Sequence, residues 1–293
     1  MNTLKYKSVL LAGATGYLGS YILKELDKEG IQTTVIARNI KKIDTTYTTP
    51  ITIKKAEVTK PTTLIDVCKG IDVVISTVGI TRQKEGLTYM DVDYKANMNL
   101  LQEALKSGVQ HFIYVSAIKG DTHKHLKILT AKEKFVDELK KSGLKYTIVR
   151  PNGFFSDMKD FLQMAASGKV YLFGDGNQKL NPIHGADLAV FMVNLIGKKQ
   201  QEIAVGGPDI LSLNEISKMA LSAVNKPLKI FHFPDGIRKG LIWCLRTFTN
   251  VRFYGPLEFF LTLMATDTVA KQTGVYHLKD FYLKEALKLQ KES

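Results

Sequence analysis

Three glycines near the start of the chain have the spacing with the clearest chemistry. Gly13, Gly16 and Gly19 follow an apolar strand pattern over residues 8–12 and precede a helical pattern. In that order the first glycine permits a sharp turn, the second lets backbone approach a pyrophosphate, and the third lets the helix pack closely on the sheet. The free N–H groups at the helix start then face the anion. A dinucleotide is the predicted ligand, and a glycine-rich turn without a ligand is the alternative. The predicted phosphate-binding residues are Gly13, Thr15, Gly16, Tyr17, Leu18 and Gly19.

A basic residue stands where a dinucleotide fold meets the adenosine ribose. Arg38 follows the second predicted strand, residues 32–37. An acidic residue there would bind the 2′-hydroxyl of NAD, whereas a guanidinium suits a 2′-phosphate. Lys41 and Lys42 add positive charge nearby. The pattern therefore favours NADP over NAD, and a surface arginine at the strand end is the alternative.

Two further strand ends are predicted to line the cofactor. Glu57 and Val58 end the third strand, where the adenine edge lies in such folds. Thr77, Val78 and Gly79 follow the fourth strand at the carboxyl edge of the sheet, where ligands of open α/β sheets bind. Gly79 permits a close approach, although a plain strand-to-loop glycine explains it equally well.

The first half of the chain alternates strand and helix patterns. Continuous apolar runs at residues 73–75 and 112–115 are typical of buried parallel strands. Helices are predicted at residues 61–69, 94–107 and 130–142. Right-handed crossovers between such strands produce a doubly wound sheet. We therefore predict an α/β fold of the Rossmann type.

The pattern changes after Pro151. Residues 152–185 are rich in turns, and a capping box of Ser212 and Glu215 opens a later helix. We expect an NAD(P)-binding core over residues 1–151, to which the chain returns around 180–205. A smaller α+β lobe over 152–293 would cover the substrate.

Composition narrows the class of protein. The 293 residues carry a formal charge of +13, but the lysines are scattered and form neither a basic arm nor zinc-finger spacing, so no nucleic acid is expected. Cys68 and Cys244 make no disulfide framework and no metal cluster, which favours the cytoplasm. The start of the chain has no room for a signal peptide, and no apolar run reaches about 18 residues, so no spanning helix is predicted.

These motifs together resemble the atypical short-chain dehydrogenase/reductase superfamily, of the NmrA-like and divinyl-chlorophyllide-reductase-like type. The resemblance covers residues 8 to about 210. Its landmarks are Gly13–Gly19, Arg38, residues 93–101, residues 114–117, Lys132, residues 142–155 and residues 181–189.

The resemblance implies a set of catalytic positions. The superfamily uses a Ser and a Tyr-x-x-x-Lys pair, in which the lysine binds the nicotinamide ribose and the tyrosine exchanges the proton. Ser116 and Lys132 fall at the Ser and Lys positions, but Ile128 stands at the Tyr position and cannot transfer a proton. Of the other candidate acids, we expect Tyr114 to belong to the core and His184 to brace its lobe.

The resemblance also implies that the loop after the sixth strand lines the nicotinamide. Its residues are Pro151, Asn152, Gly153 and Phe154. Phe154 and Phe155 would wall the pocket or, as the alternative, belong to the core of the second lobe.

The sequence thus predicts an NADP-dependent oxidoreductase acting on a small, apolar carbonyl or alkene substrate. The alternative is a non-catalytic NADP(H)-binding regulator or assembly factor, which the missing tyrosine supports. Residues 237–264 mix basic and large apolar side chains. They are interpreted as core of the second lobe, with a substrate lid or a peripheral membrane contact as alternatives.

Overall fold

The computed structural model describes residues 6–44, 46–83, 85–199 and 201–292. Residue 292 is described for its backbone only. Residues 1–5, on which the expectation of no signal peptide rests, lie outside the described residues. Within these ranges no helix is long and apolar enough to cross a membrane.

The strands are β1 (Ser8–Ala12), β2 (Gln32–Ala37), β3 (Ile51–Lys55), β4 (Val73–Ser76), β5 (His111–Val115), β6 (Lys145–Pro151), β7 (Val170–Phe173), β8 (Lys179–Leu180), β9 (Gln201–Gly206), β10 (Leu211–Ser212), β11 (Ile230–Phe233) and β12 (Lys271–Gln272). The α-helices are α1 (Tyr17–Lys28), α2 (Asn97–Lys106), α3 (Lys127–Lys141), α4 (Lys159–Ala166), α5 (Gly185–Val193), α6 (Leu213–Ala223), α7 (Asp235–Phe248), α8 (Val251–Met264) and α9 (Leu278–Glu292).

One large sheet carries the fold. Its strand order is β3-β2-β1-β4-β5-β6-β9-β12, and each pairing from β3 across to β6 is parallel. All residues of β4 and β5 are buried, as expected for strands covered by helices on both faces. The strand order reverses direction along the chain between β1 and β4, which is the switch point where such sheets bind ligands. The predicted Rossmann-type α/β fold is confirmed.

The structure differs from the local predictions in three places. The helix expected at residues 61–69 is a short 3-10 turn, Pro61–Thr63, because Asp66 adopts a left-handed φ of 61° that a helix cannot continue through. The turn-rich segment 152–185 contains helix α4. The helix predicted from residue 94 begins earlier, as a π-helical turn over Met90–Ala96 that continues into α2.

The chain divides into two compact units. The first comprises Met1–Arg150 with Leu188–Ile203, and the second comprises Pro151–Asp187 with Ala204–Ser293. In the first unit the core lies between the sheet and its helices, with Phe112, Tyr114 and Phe135 as its largest fully buried rings. The second unit has its own core, in which α4, α6 and α9 contribute apolar side chains.

A buried ion pair joins strand β6 to helix α3 in the first unit. Arg150 binds Glu133 through its two terminal guanidinium nitrogens, Nη1 and Nη2, at 2.6 and 2.8 Å. The Ser116 hydroxyl donates to the same carboxylate at 2.7 Å. Glu202 accepts a further bond from Arg150 at 3.1 Å. Bidentate geometry of this kind compensates the loss of hydration of both charges.

Removing one member of this pair should destabilise the protein. We expect Glu133→Ala to lower the free energy of unfolding by about 3 kcal/mol, because the buried guanidinium loses its main partner. Urea denaturation of the full chain, followed by circular dichroism, measures the change. Glu138→Ala is the matched control on the same helix: its carboxylate is half-exposed and lies 3.5 Å from Lys141, so a loss of less than about 1 kcal/mol is expected. Equal losses in the two variants would contradict the prediction.

Candidate cofactor site

The glycine turn has the geometry that its spacing predicts. Gly13 adopts a φ of +91°, and its carbonyl accepts a hydrogen bond of 2.9 Å from the Gly16 amide. A Cβ on Gly13 would lie 2.4 Å from the Thr77 hydroxyl, and one on Gly19 would lie 2.1 Å from the Gly13 carbonyl oxygen. A side chain at Gly13 would push the turn after β1 away from Thr77, and one at Gly19 would push helix α1 away from that turn.

Helix α1 presents an open N-terminus to this turn. Its N-cap residue is Gly16, no side chain of the described residues caps it, and its first turn contains no acidic residue. The first amide groups of a helix need an acceptor, and the helix dipole favours an anion there. A pyrophosphate fits this end of the helix.

A cleft of about 320 Å³ runs along the carboxyl edge of β1, β2 and β4. Most of the predicted cofactor residues of the first unit line it, and these are Gly13, Thr15, Gly16, Arg38, Glu57, Val58, Thr77, Val78 and Gly79. Tyr17, Leu18 and Gly19 belong to helix α1 and do not line the cleft. Leu18 and Gly19 are buried, so their role here is packing.

Arg38 reaches the cleft from the end of β2. Its guanidinium binds the Glu85 carboxylate at 2.6 Å, and both side chains are exposed. Arg82 also lines the cleft. Arg38 therefore stands at the end of β2 with its guanidinium paired to one exposed carboxylate.

Glu57 is held as an acceptor at the adenine end. Its carboxylate lies 2.8 Å from Lys60 Nζ and accepts a bond from Thr59. These two donors lower the pKa of Glu57 from its usual value. The side chain stays ionised at neutral pH.

Lys132 lies directly behind Gly79, a residue that lines the cleft. Its ammonium is 2.9 Å from Asp93 Oδ1, and both side chains are buried. A Cβ on Gly79 would meet Asp93 Oδ1 at 2.6 Å and Lys132 Nζ at 2.7 Å. Glycine at this position thus lets the Lys132–Asp93 pair pack directly against the backbone that lines the cleft.

The charge of Lys132 is stabilised by its surroundings. Burial alone would lower the pKa of this ammonium, but the Asp93 carboxylate and Tyr114 outweigh it and raise the pKa above its usual value. Lys132 therefore acts as a fixed cation and hydrogen-bond donor. A lysine with a raised pKa is a poor proton donor to a substrate.

Two residues that our reading of the sequence gave no role position this lysine. Asp93 lies in the π-helical turn, and Asn97 follows at the start of α2. The Asn97 amide accepts from Ser76 at 2.6 Å and donates to the carbonyls of Val78 and Asp93 at 3.2 and 3.0 Å. The available signal was a pair of polar residues, four apart, on the same side of the helix as the apolar residues Val92, Ala96 and Leu100.

Ser116 occupies a different place from the one its family position implies. It does not line the cleft, and its hydroxyl is buried and hydrogen-bonded to Glu133 and Arg150. Ile128 is also buried. The Tyr114 ring is fully buried beneath Lys132, whose Nζ lies 5.7 Å from the ring centroid, so Tyr114 belongs to the core as expected.

The predicted nicotinamide loop belongs to the second unit. The Asn152 side-chain amide donates to Asn181 Oδ1 at 2.9 Å and to the Thr268 carbonyl. Its backbone N–H donates to the Val205 carbonyl. Pro151 is buried at the end of β6, while Gly153 and Phe154 are partly exposed. This loop is held by side-chain amides rather than by apolar packing alone.

His184 and Asp187 have bracing roles in the second unit. The His184 ring stacks on Tyr276 with centroids 4.4 Å apart. The Asp187 carboxylate accepts bonds from the amides of Val275 and Tyr276 at 3.1 and 3.0 Å. The expectation that His184 braces its lobe agrees with the structure. Among the described residues no group of three or more His, Cys, Asp or Glu side chains is placed to hold a metal ion.

Comparison with known proteins identifies the family. A family described as NAD(P)H-binding matches residues 13–199. The chain belongs to this NAD(P)H-binding family. It is an atypical short-chain dehydrogenase/reductase of the type that the sequence resembles.

Similar sequences include reductases and an assembly factor. The divinyl chlorophyllide a 8-vinyl-reductase of Arabidopsis thaliana is 31% identical, over 92% of this chain and 72% of that protein. The cucumber protein of the same name is 30% identical, and the chain covers 65% of it. The photosystem II assembly factor Ycf39 of Synechocystis is 27% identical over 51% of this chain and 46% of its own length. The chain therefore spans about two thirds of the plant proteins.

Solved structures share the fold. The NADPH-dependent quinone oxidoreductase QOR2 of Escherichia coli has a TM-score of 0.72 at 16% identity, covering 96% of this chain and 99% of that one. The triphenylmethane reductase of Citrobacter has a TM-score of 0.73 at 15% identity, covering 95% of this chain and 99% of that one.

A side chain at Gly79 should weaken cofactor binding. In Gly79→Ala the new methyl group displaces Asp93 and Lys132 from their place behind the cleft. Losing a charge-assisted hydrogen bond from Lys132 to the cofactor costs about 1.5–3 kcal/mol, or roughly ten- to a hundredfold in Kd. Isothermal titration calorimetry with NADPH measures this change. Gly240→Ala is the control, because a Cβ there meets nothing within 4 Å. Unchanged binding by Gly79→Ala would show that Lys132 does not touch the cofactor.

Proposed function

We propose that the chain is an NADP-dependent reductase acting on a conjugated carbon–carbon double bond of a small, apolar molecule. The observation that carries this proposal is the cleft of the first unit. Arg38 and Gly79 line it, and the buried Lys132–Asp93 pair lies directly behind Gly79. The similarity to a vinyl reductase, 31% identical, supports the choice of reaction class.

Each part of the cleft has a binding role in this proposal. The turn at Gly13 and Gly16, with the open end of helix α1, would hold the pyrophosphate. Arg38 would bind the 2′-phosphate after exchanging its Glu85 partner for it. The Lys132 ammonium would donate to a ribose hydroxyl of the nicotinamide half.

When bound, NADPH supplies a hydride to one carbon of the double bond, whose electron pair then takes a proton at the other carbon. None of the three family positions supplies a proton donor for the substrate. Ile128 cannot exchange a proton, Ser116 is bound to Glu133, and Lys132 retains its proton. We therefore propose solvent as the proton source.

The lack of a proton donor at the family's positions bears on the class of substrate. Hydride addition to a simple carbonyl places negative charge on one oxygen, which usually needs a positioned acid. Hydride addition to a conjugated alkene spreads the charge over the substrate, so a slower proton from water suffices. The missing tyrosine therefore favours the alkene over the carbonyl.

The cofactor preference can be tested at Arg38. We expect NADPH to bind more tightly than NADH, and Arg38→Ala to raise the Kd for NADPH about ten- to a hundredfold, since a bond between charged groups contributes about 1.5–3 kcal/mol. The Kd for NADH should change less than about threefold, because NADH lacks the 2′-phosphate that the guanidinium would bind. Glu85→Gln should tighten NADPH binding by freeing the guanidinium. Fluorescence titration measures all five dissociation constants.

Lys42→Ala is the matched control, because it removes a nearby exposed positive charge that does not line the cleft. A preference of the unmodified protein for NADH, or an equal loss in both variants, would contradict the assignment of Arg38.

The catalytic roles can be tested with a panel of conjugated enones, vinyl aromatics and quinones, by following NADPH absorbance. Lys132→Met should lower kcat/KM about a hundredfold or more, since the ribose loses a charge-assisted donor worth about 1.5–3 kcal/mol and its alignment. Ser116→Ala should leave kcat within about threefold, because the hydroxyl serves Glu133 and Arg150. Thermal melting of each variant controls for unfolding. A large loss of kcat in a folded Ser116→Ala protein would restore the family mechanism and refute ours.

A second candidate function is a non-catalytic NADP(H)-binding assembly factor. It is favoured by the unused tyrosine position together with the similarity to Ycf39 over half of the chain. Tight NADPH binding without turnover of any panel member would support this candidate over the reductase.

A further inference from the structure

Helix α7 of the second unit is amphipathic but leaves its apolar side in solvent. None of its residues is buried. Ile237, Leu241 and Phe248 are 52%, 41% and 77% exposed. At about 100° per residue these side chains fall on one side of the helix, and Cys244 lies between them. An amphipathic surface helix normally turns this side to the protein core.

The neighbouring helix continues the feature. Helix α8 packs against α7, and its Phe253 and Leu257, one turn apart, are 60% and 42% exposed. Strand β7, which also contacts α7, exposes Tyr171, stacked on Phe231 with centroids 5.7 Å apart. Soluble proteins rarely leave this much aromatic and aliphatic surface in water unless it binds something.

The charge of this segment indicates what it binds. Residues 235–264 contain four Lys or Arg residues and two acidic residues, and Lys226 and Lys229 precede them. Lys239 and Arg246 lie on the side of α7 opposite the exposed apolar residues, at about 100° per residue. Asp235 pairs with Arg238 and Lys239, and Glu258 pairs with Arg246, which leaves the segment with a clear positive excess.

We infer that the α7–α8 hairpin, residues 235–264, docks on the surface of an anionic lipid bilayer. Exposed Phe and Leu side chains would enter the boundary of the acyl chains, and the Lys and Arg side chains would meet the headgroup phosphates. A symmetric second copy fits less well, because an isologous interface would set two positively charged segments against each other. The hairpin would lie on the membrane surface, and this mode of binding needs no spanning helix. It does not depend on the proposed reductase activity.

Co-sedimentation of the full chain with lipid vesicles tests this inference. We expect at least tenfold stronger binding to phosphatidylcholine vesicles containing 30% phosphatidylglycerol than to pure phosphatidylcholine, and a marked loss at high salt, because headgroup attraction is screened (about 8 Å Debye length at 0.15 M). The single tryptophan of the chain, Trp243, lies on α7 and is 63% exposed. Its emission should shift to shorter wavelength on addition of the anionic vesicles.

Variants distinguish lipid binding through the α7–α8 hairpin from nonspecific adsorption of the protein to vesicles. Leu241→Ser combined with Phe248→Ser should weaken binding about tenfold or more, and Lys239→Gln combined with Arg252→Gln should reduce the preference for anionic lipid. Val275→Ser is the apolar control, being 76% exposed in the same unit but outside the hairpin. Lys41→Gln combined with Lys42→Gln is the charge control.

Three results would overturn the inference. They are no binding to the anionic vesicles, binding that the Leu241 and Phe248 changes leave intact, and a dimer in light scattering that those same changes dissolve. The last result would assign the surface to a second copy of the chain.

Discussion

The buried pair of Lys132 and Asp93 is the interaction on which the candidate site depends. An ammonium removed from water at 2.9 Å from a buried carboxylate keeps its charge and its direction. Removing both ions from water costs free energy, and their mutual attraction offsets this cost only where the geometry of the pair is fixed. Asn97 fixes this geometry, because its side-chain amide donates to the carbonyl of Val78, in the loop after β4, and to that of Asp93, in the π-helical turn. A π turn inserts one residue into a helix, and such turns occur often at functional sites.

The glycines serve this pair as much as they serve the cofactor. Gly79 has no Cβ because the carboxylate and ammonium occupy the space where it would be. Gly13 and Gly19 likewise bring β1, α1 and Thr77 into contact before any ligand binds. The cleft is therefore shaped by contacts within the first unit. A preformed cleft lowers the ordering cost that a dinucleotide would otherwise incur on binding.

Local patterns predicted the features that depend on local geometry. The glycine spacing, the apolar runs of β4 and β5, and Arg38 at the end of β2 are each set by a few neighbouring residues, and the fold followed from them. The helix at 61–69 failed because one left-handed aspartate, Asp66, stops it. The place of Ser116 could not be seen, because Glu133 and Arg150 approach it from 17 and 34 residues away. The role of Asp93 needed both the π turn and the partner on α3.

A well-formed cofactor cleft and an unused proton-donor position coexist without conflict. Binding NADPH requires phosphate, ribose and adenine contacts, and none of these contacts involves residue 128. Evolution of the chain can therefore change that position while keeping the binding site, whether the outcome is alkene reduction or a sensor of NADPH. The two outcomes demand different things of Lys132. A reductase needs its hydrogen bond to persist as charge moves in the transition state, whereas a sensor needs only ground-state affinity. A lysine whose charge and direction are fixed by a buried carboxylate serves the first demand, and for binding alone an exposed lysine would suffice.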